Sequence, residues 1–361
     1  MRFPLIVFLF FYLSSASYCQ DFINKNDSLF IDSINKLNLN NKKLILFENK
    51  YNEAIDRFNS GKLKNAILLL DECVNLDSTN ANSYFFLSKC YYDLELKNKY
   101  LNNINRALSL DSLNIIYISE IGNYYRSITK YDSANFYYDK IIENFPDFSD
   151  VFYWKSLINI KNSVYTSALD NMNKALNIEE KDYFFNERAG IYRKLKNFNK
   201  ALSDYKTCLK INNQSSLFYN NIASLYKLLN ILDSSLYFYN KSITLDKANK
   251  ISFNNRGEVL LEQGDVENAE KDFKKSLKID SSYVYALNNL SVCFYKRNEL
   301  DKTINLLNKC IEIQPDFVTA LLNRGIYFQE TRDEKRACND WLRASELGSN
   351  LAKKFIRNDC Y

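Results

Sequence analysis

An all-α protein made of about nine consecutive helical hairpins, closed by a short C-terminal helix, is the fold that this sequence predicts. Three observations carry that reading. Small residues recur at an interval of 34 positions along most of the 361-residue chain. Apolar and aromatic side chains follow them at three- and four-residue spacing, which places them on one face of a helix. Only 7 Gly and 3 Pro are present, too few to punctuate a many-stranded sheet. Histidine is absent, which removes imidazole acid–base chemistry, the His-dependent nucleophile systems and the Cys/His zinc sites. The net charge of +5 is offset along the chain by 43 acidic residues, and the basic residues form no continuous run with interleaved aromatics. No nucleic-acid partner is therefore expected.

The chain begins MRFPLIVFLFFYLSSASYCQ, with one Arg, an apolar run from Phe3 to Leu13 and then small residues. That run is too short to span a bilayer and has the size of a signal-peptide core. Residues 1–19 are expected to be an export signal. Cleavage after Cys19 leaves Gln20 first, and cleavage near Ser17 also fits. Lipidation of Cys19 is disfavoured by the bulk of Tyr18, and a buried N-terminal helix is the remaining alternative. The mature protein is expected in the periplasm, at the envelope or outside the cell, with no integral membrane span. Residues 20–46 read as a lead-in, with a loose helix over 28–38.

From there the repeats are regular. The first small residues are Ala54, Ser88, Gly122, Ser156, Ala189, Ala223, Gly257, Ser291 and Gly325, with one step of 33 between Ser156 and Ala189. Twelve positions later stand Ala66, Ala134, Ala168, Ala201, Ser235, Ala269, Thr303 and Ala337, with Tyr100 the exception. Seven further on stand Cys73, Ala107, Ala175, Cys208, Ser242, Ser276, Cys310 and Ala344, with Ile141 departing. Small residues let two helix backbones approach, and large neighbours such as Tyr226, Phe273 and Phe294 fill the grooves. Gly61, Asn230, Gly264 and Asn298 fall where the turn requires a left-handed backbone. Pro146 and Pro315 mark places where helices stop.

At these positions the sequence resembles the tetratricopeptide repeat (TPR) family, whose helix pairs carry small residues at three positions between aromatic ones. The resemblance covers residues 47–349 and departs from the pattern at Tyr100, at Ile141 and over Lys155–Asn159. It implies a right-handed superhelical solenoid of about nine TPR hairpins with a concave inner face, and residues 350–361 as a capping helix.

Asn221, Asn255, Asn289 and Asn323 recur 34 apart, so a regular stack sets them in one row. A primary amide offers a donor and an acceptor together, the complement of a peptide backbone. In the TPR family such rows line the interior and grip bound peptides, and the resemblance implies that role here. Asn186, Asn220, Asn254 and Asn288 lean toward the same face. Lys89, Tyr92, Arg126, Arg193, Lys227 and Lys296 add a mildly cationic, aromatic lining suited to an acidic peptide. The alternatives are a repeat consensus in an Asn-rich chain and an ordinary solvated face. Removing Asn255 and Asn289 is expected to weaken peptide binding with thermal stability nearly unchanged.

Among the cysteines, Cys73, Cys208 and Cys310 read as buried small residues. Cys338 and Cys360 lie nearly level on two antiparallel helices about the turn at Gly348, so they are expected to form a disulfide, consistent with export. Cys73 with Cys90 and Cys293 with Cys310 are less level. No metal, cofactor or catalytic motif is found. The function expected is a non-catalytic protein-interaction scaffold that binds protein or peptide partners. A self-associating envelope scaffold is the alternative.

Overall fold

A computed structural model describes residues 6–360, with side chains from residue 32 onward except at 34 and 359. Among the described residues there are 19 helices and no strand. They fall into two compact units, one ending at Val151 and one beginning at Phe152.

The first unit holds α1 (Ile6–Asn59), α2 (Leu63–Leu76), α3 (Ala81–Asp93), α4 (Lys97–Leu110), α5 (Ile115–Ser127) and α6 (Tyr131–Asn144). The boundary falls within α7 (Ser149–Lys161). The second unit continues with α8 (Tyr165–Ile178), α9 (Asp182–Lys194), α10 (Phe198–Ile211), α11 (Ser216–Leu228) and α12 (Leu232–Leu245). It ends with α13 (Lys250–Glu262), α14 (Val266–Ile279), α15 (Val284–Lys296), α16 (Leu300–Ile313), α17 (Val318–Glu330), α18 (Glu334–Glu346) and α19 (Asn350–Asp359). Among the described residues these make nine hairpins in sequence order and one closing helix.

The lead-in differs from expectation. Residues 20–46 contain no Gly or Pro, and instead of a separate helix over 28–38 they continue unbroken into the first hairpin as part of α1. The export signal expected over residues 1–19 lies outside the residues whose side chains are described. No described helix is long and apolar enough to cross a membrane.

The small residues do what their size allows. Ala54, Ala66 and Cys73 in the first unit, and Ala189, Ala201 and Cys208 in the second, are fully buried. Tyr100 and Ile141, the two exceptions, are buried as well. Facing some of the large rings the small residue is glycine: a Cβ on Gly257 would stand 2.6 Å from Cε1 of Phe273, and one on Gly122 would stand 2.7 Å from Cε1 of Tyr138. The third position also ties the hairpin by hydrogen bonding. Cys208, Ser242, Ser276 and Cys310 donate to the carbonyls of Asp182, Ser216, Lys250 and Val284 at 3.2, 2.8, 2.9 and 3.4 Å, each 26 residues earlier. A thiol and a hydroxyl are interchangeable there because either can donate from a space no larger than a methyl group.

Each hairpin turn places one residue in the left-handed region. Gly61 and Gly264 adopt it at φ 71° and 84°, and Asn230 and Asn298 at 57° and 59°. Glu95, Thr129, Ser163, Lys196 and Arg332 do so as well, at φ between 59° and 60°. For a β-branched residue this is the most costly case. The exchange Thr129→Gly is therefore expected to raise stability by about 1 kcal/mol in urea unfolding.

Candidate functional site

In the second unit the first helices of successive hairpins touch one another, α11 with α13 and α13 with α15. The asparagine row lies on this run of helices. Asn186, Asn220, Asn254 and Asn288 are buried (8, 8, 2 and 4 % exposed), and Asn221, Asn255, Asn289 and Asn323 are half-buried beside them.

The eight amides form one directional relay. Asn323 Nδ2 donates to Asn288 Oδ1 at 2.9 Å, Asn289 to Asn254 at 3.1 Å, Asn255 to Asn220 at 3.3 Å and Asn221 to Asn186 at 2.8 Å. Within each helix the buried amide donates to its neighbour: Asn288 to Asn289 at 3.3 Å, Asn254 to Asn255 at 3.3 Å and Asn220 to Asn221 at 3.4 Å. The chain ends where Asn186 donates to Glu187 Oε1 at 3.2 Å. Burial pushes the Glu187 carboxyl up, and the Asn186 bond partly offsets this. Glu258 braces the middle of the relay, accepting from Asn254 at 2.8 Å and from Asn289 at 2.9 Å.

These bonds give the row a structural role beside the binding role expected of it. Its amides hold one hairpin to the next, so removing Asn255 and Asn289 cannot leave stability untouched: both donate to buried carbonyl oxygens. Two of the cations expected on this lining have acidic partners. Lys227 Nζ is 2.6 Å from Glu258 and 3.1 Å from Glu262, and Lys89 Nζ is 2.9 Å from Glu120. Burial works against the Lys227 charge, but the two carboxylates outweigh it and hold its pKa above the ordinary value. Arg126 bonds Asn123 and the Tyr138 hydroxyl. Lys296 is exposed. Lys89 and Lys227 are thus compensated by carboxylates, while Arg126 meets neutral groups.

Two features of these helices escaped the sequence reading. Tyr183, Leu217, Ile251 and Tyr285, 34 residues apart, stand 36, 52, 45 and 52 % exposed one helical turn before the asparagines. Their signal was the same period that revealed the core. The second feature is a clamp in alternate hairpins. Arg188, Arg256 and Arg324 each grip a buried carboxylate with two bonds: Asp204 at 2.8 and 2.9 Å, Asp272 at 2.7 and 2.6 Å, and Asp340 at 2.7 and 2.7 Å. Each also donates to an Asn of the preceding hairpin: Asn173, Asn240 or Asn308. The clue was an Arg one place before the first small residue, recurring every 68 residues.

Cys338 and Cys360 are joined in a disulfide with Cα atoms 5.7 Å apart, tying α19 to α18. Cys73, Cys90, Cys208, Cys293 and Cys310 are free and buried. Burial pushes the Cys73 and Cys310 thiols up to about 11 and Cys208 up to about 12, so none is a thiolate at neutral pH. Among the described residues no group of three or more Cys, Asp or Glu side chains could hold a metal ion.

Residues 184–215 and 252–283 match the tetratricopeptide repeat model. They correspond to the hairpins α9/α10 and α13/α14, both of which carry the Arg–Asp clamp. These two hairpins are similar to tetratricopeptide repeats. Solved structures share the fold. One is PilF of Pseudomonas aeruginosa, with 17 % identity, a TM-score of 0.50 and coverage of 58 % of this chain and 96 % of that one. Another is a tetratricopeptide repeat protein of Parabacteroides merdae, with 13 % identity, a TM-score of 0.50 and coverage of 88 % and 99 %. A third is the APC/C hetero-tetramer Cut9–Hcn1, with 12 % identity, a TM-score of 0.55 and coverage of 86 % and 76 %. No curated protein matches the chain significantly. The all-helical succession of hairpins is the TPR-type fold in its element order and pair packing.

Two outcomes follow from these contacts. Asn254→Ala deprives Asn289 of one of its two acceptors, and Asn255 and Glu258 of a donor, in a buried setting, and should cost about 1–3 kcal/mol in urea unfolding. Reduction of the Cys338–Cys360 bridge should speed amide exchange in α19 and lower the stability of that end by about 2–4 kcal/mol, leaving exchange in α9 to α13 unchanged.

Proposed function

We propose that this chain is an exported, non-catalytic protein-interaction scaffold that binds an extended peptide segment of a partner across the first helices of its second unit. A TPR-type array of hairpins is a protein-interaction scaffold. The observation that carries the finer reading is the row of Leu217, Ile251 and Tyr285, about half exposed and in step with the asparagine relay, with the Tyr285 ring also set edge-on to Phe317 at the start of the next hairpin. Apolar side chains of a bound strand would pack on this row, and its backbone would bond the half-buried amides of Asn221, Asn255, Asn289 and Asn323. The relay uses one donor of Asn221 and one of Asn323, and each amide has two donors and two acceptor positions. Affinity would come from many shallow contacts on a preformed surface. Export is supported by the apolar leader-like start and by the disulfide, which suits an oxidising compartment.

Self-association is the second reading. It is favoured by Leu37, Leu39, Leu44, Ile45 and Leu46, which are all exposed on α1.

The test is to select peptides from a displayed random library and measure their affinity by fluorescence polarisation. Leu217→Ser with Ile251→Ser should weaken the selected peptides at least about tenfold with the urea midpoint unchanged, since both side chains already face water. Equal affinity in the variant, or failure to select any peptide, would count against the reading. N-terminal sequencing of the exported product checks the leader, and a retained Met1 would contradict it.

A further inference from the structure

Four residues after the second small position, the second helix of most hairpins in the second unit carries a ring: Tyr205, Tyr239, Phe273 and Trp341, all buried. Each points back toward the first small residue of its own hairpin, as the glycines opposite Phe273 and Trp341 attest. The ring reaches the peptide-facing side: the Tyr239 hydroxyl lies 2.9 Å from Ser224 Oγ, one place after the small residue Ala223. In the hairpin α15/α16 the residue at this position is Leu307, and Val292 stands where Ser224 does.

The space that a ring occupies elsewhere is left open here. A cavity of about 150 Å³ lies between α15, α16 and α17. Ser291, Thr303 and Leu307, all buried, form its floor. Val292, Tyr295, Ile326 and Asn323 form its mouth, and Asn323 is the end of the amide relay. Tyr295 is fixed at the mouth by its hydroxyl, which donates to Glu330.

We infer that this cavity receives an unsubstituted aromatic ring, the side chain of a phenylalanine in the bound peptide, whose backbone then reaches Asn323. The volume suits a ring, because an apolar cavity of about this size takes up benzene. The apolar Val292, in place of a serine that could bond a phenolic hydroxyl, favours phenylalanine over tyrosine. The inference rests on the peptide-binding reading above and specifies one residue of the ligand.

The test uses the full exported chain and three probes: N-acetyl-phenylalaninamide, N-acetyl-tyrosinamide and N-acetyl-alaninamide. Titration followed by methyl NMR should shift the signals of Val292, Leu307 and Ile326 saturably with the phenylalanine probe. The tyrosine probe should bind more weakly, and the alanine probe should leave these signals in place. Leu307→Phe restores the ring from within. It should keep or raise the melting temperature while lowering the phenylalanine probe's affinity at least about tenfold. Val292→Phe, which plugs the mouth without touching the floor, should do the same. Undiminished shifts in both variants, equal response to all three probes, or no shift up to the solubility limit would overturn the inference. If library peptides bind while these methyls stay silent, the cavity assignment alone fails. If the capped residue binds but no peptide is ever selected, the peptide-binding reading fails instead.

Discussion

The close approach of the two helices within each hairpin is the constraint on which everything else depends. It requires residues no larger than a methyl, hydroxyl or thiol group at three helical positions, and these residues are fully buried at almost every repeat. The approach also sets where the large side chains go. Phe273 and Trp341 lie over glycines, where a Cβ would collide with the ring as it is placed, whereas Tyr239 packs over an alanine. Once the small residues and their opposing rings have closed the hairpin, side chains such as Leu217 and Ile251 on the first helix remain about half exposed.

Neighbouring hairpins in the second unit are then joined by polar groups as well as by apolar contact. The amide relay from Asn323 to Asn186 crosses four hairpin junctions, and the Arg–Asp–Asn clamps cross alternate ones. Buried amides and carboxylates of this kind are tolerable only when every member finds a partner, and they then fix register more than they add net stability. Apolar stacking alone would allow one hairpin to slide or rotate on the next. Directional bonds between identical side chains 35 residues apart select a single arrangement.

Much of this was legible in the sequence. The interval of the small residues located the hairpins, and Gly61, Asn230, Gly264 and Asn298 marked their left-handed turns because few residues accept that backbone. What was not legible depends on which partner a side chain finds. An asparagine row reads as a backbone grip, as a repeat consensus or as a solvated face, and only the positions of Asn220, Asn254 and Asn288 show that the amides bond each other. Lys227 read as a free cation because Glu258 and Glu262 stand 31 and 35 residues away, a relation that requires the stacked helices to be seen. The continuity of α1 escaped for a local reason: polar, Asn-rich sequence looks like a loop, yet nothing in it breaks a helix.

The claim at the centre of this account is that packing leaves the first-helix face of the second unit free to hold a chain. Hydrogen–deuterium exchange on the intact protein, with and without a saturating library-selected peptide, tests it most directly. Slower exchange confined to α11, α13, α15 and α17 is the predicted result. Protection confined to the second helices α12, α14 and α16, or spread evenly over both sets, would contradict it.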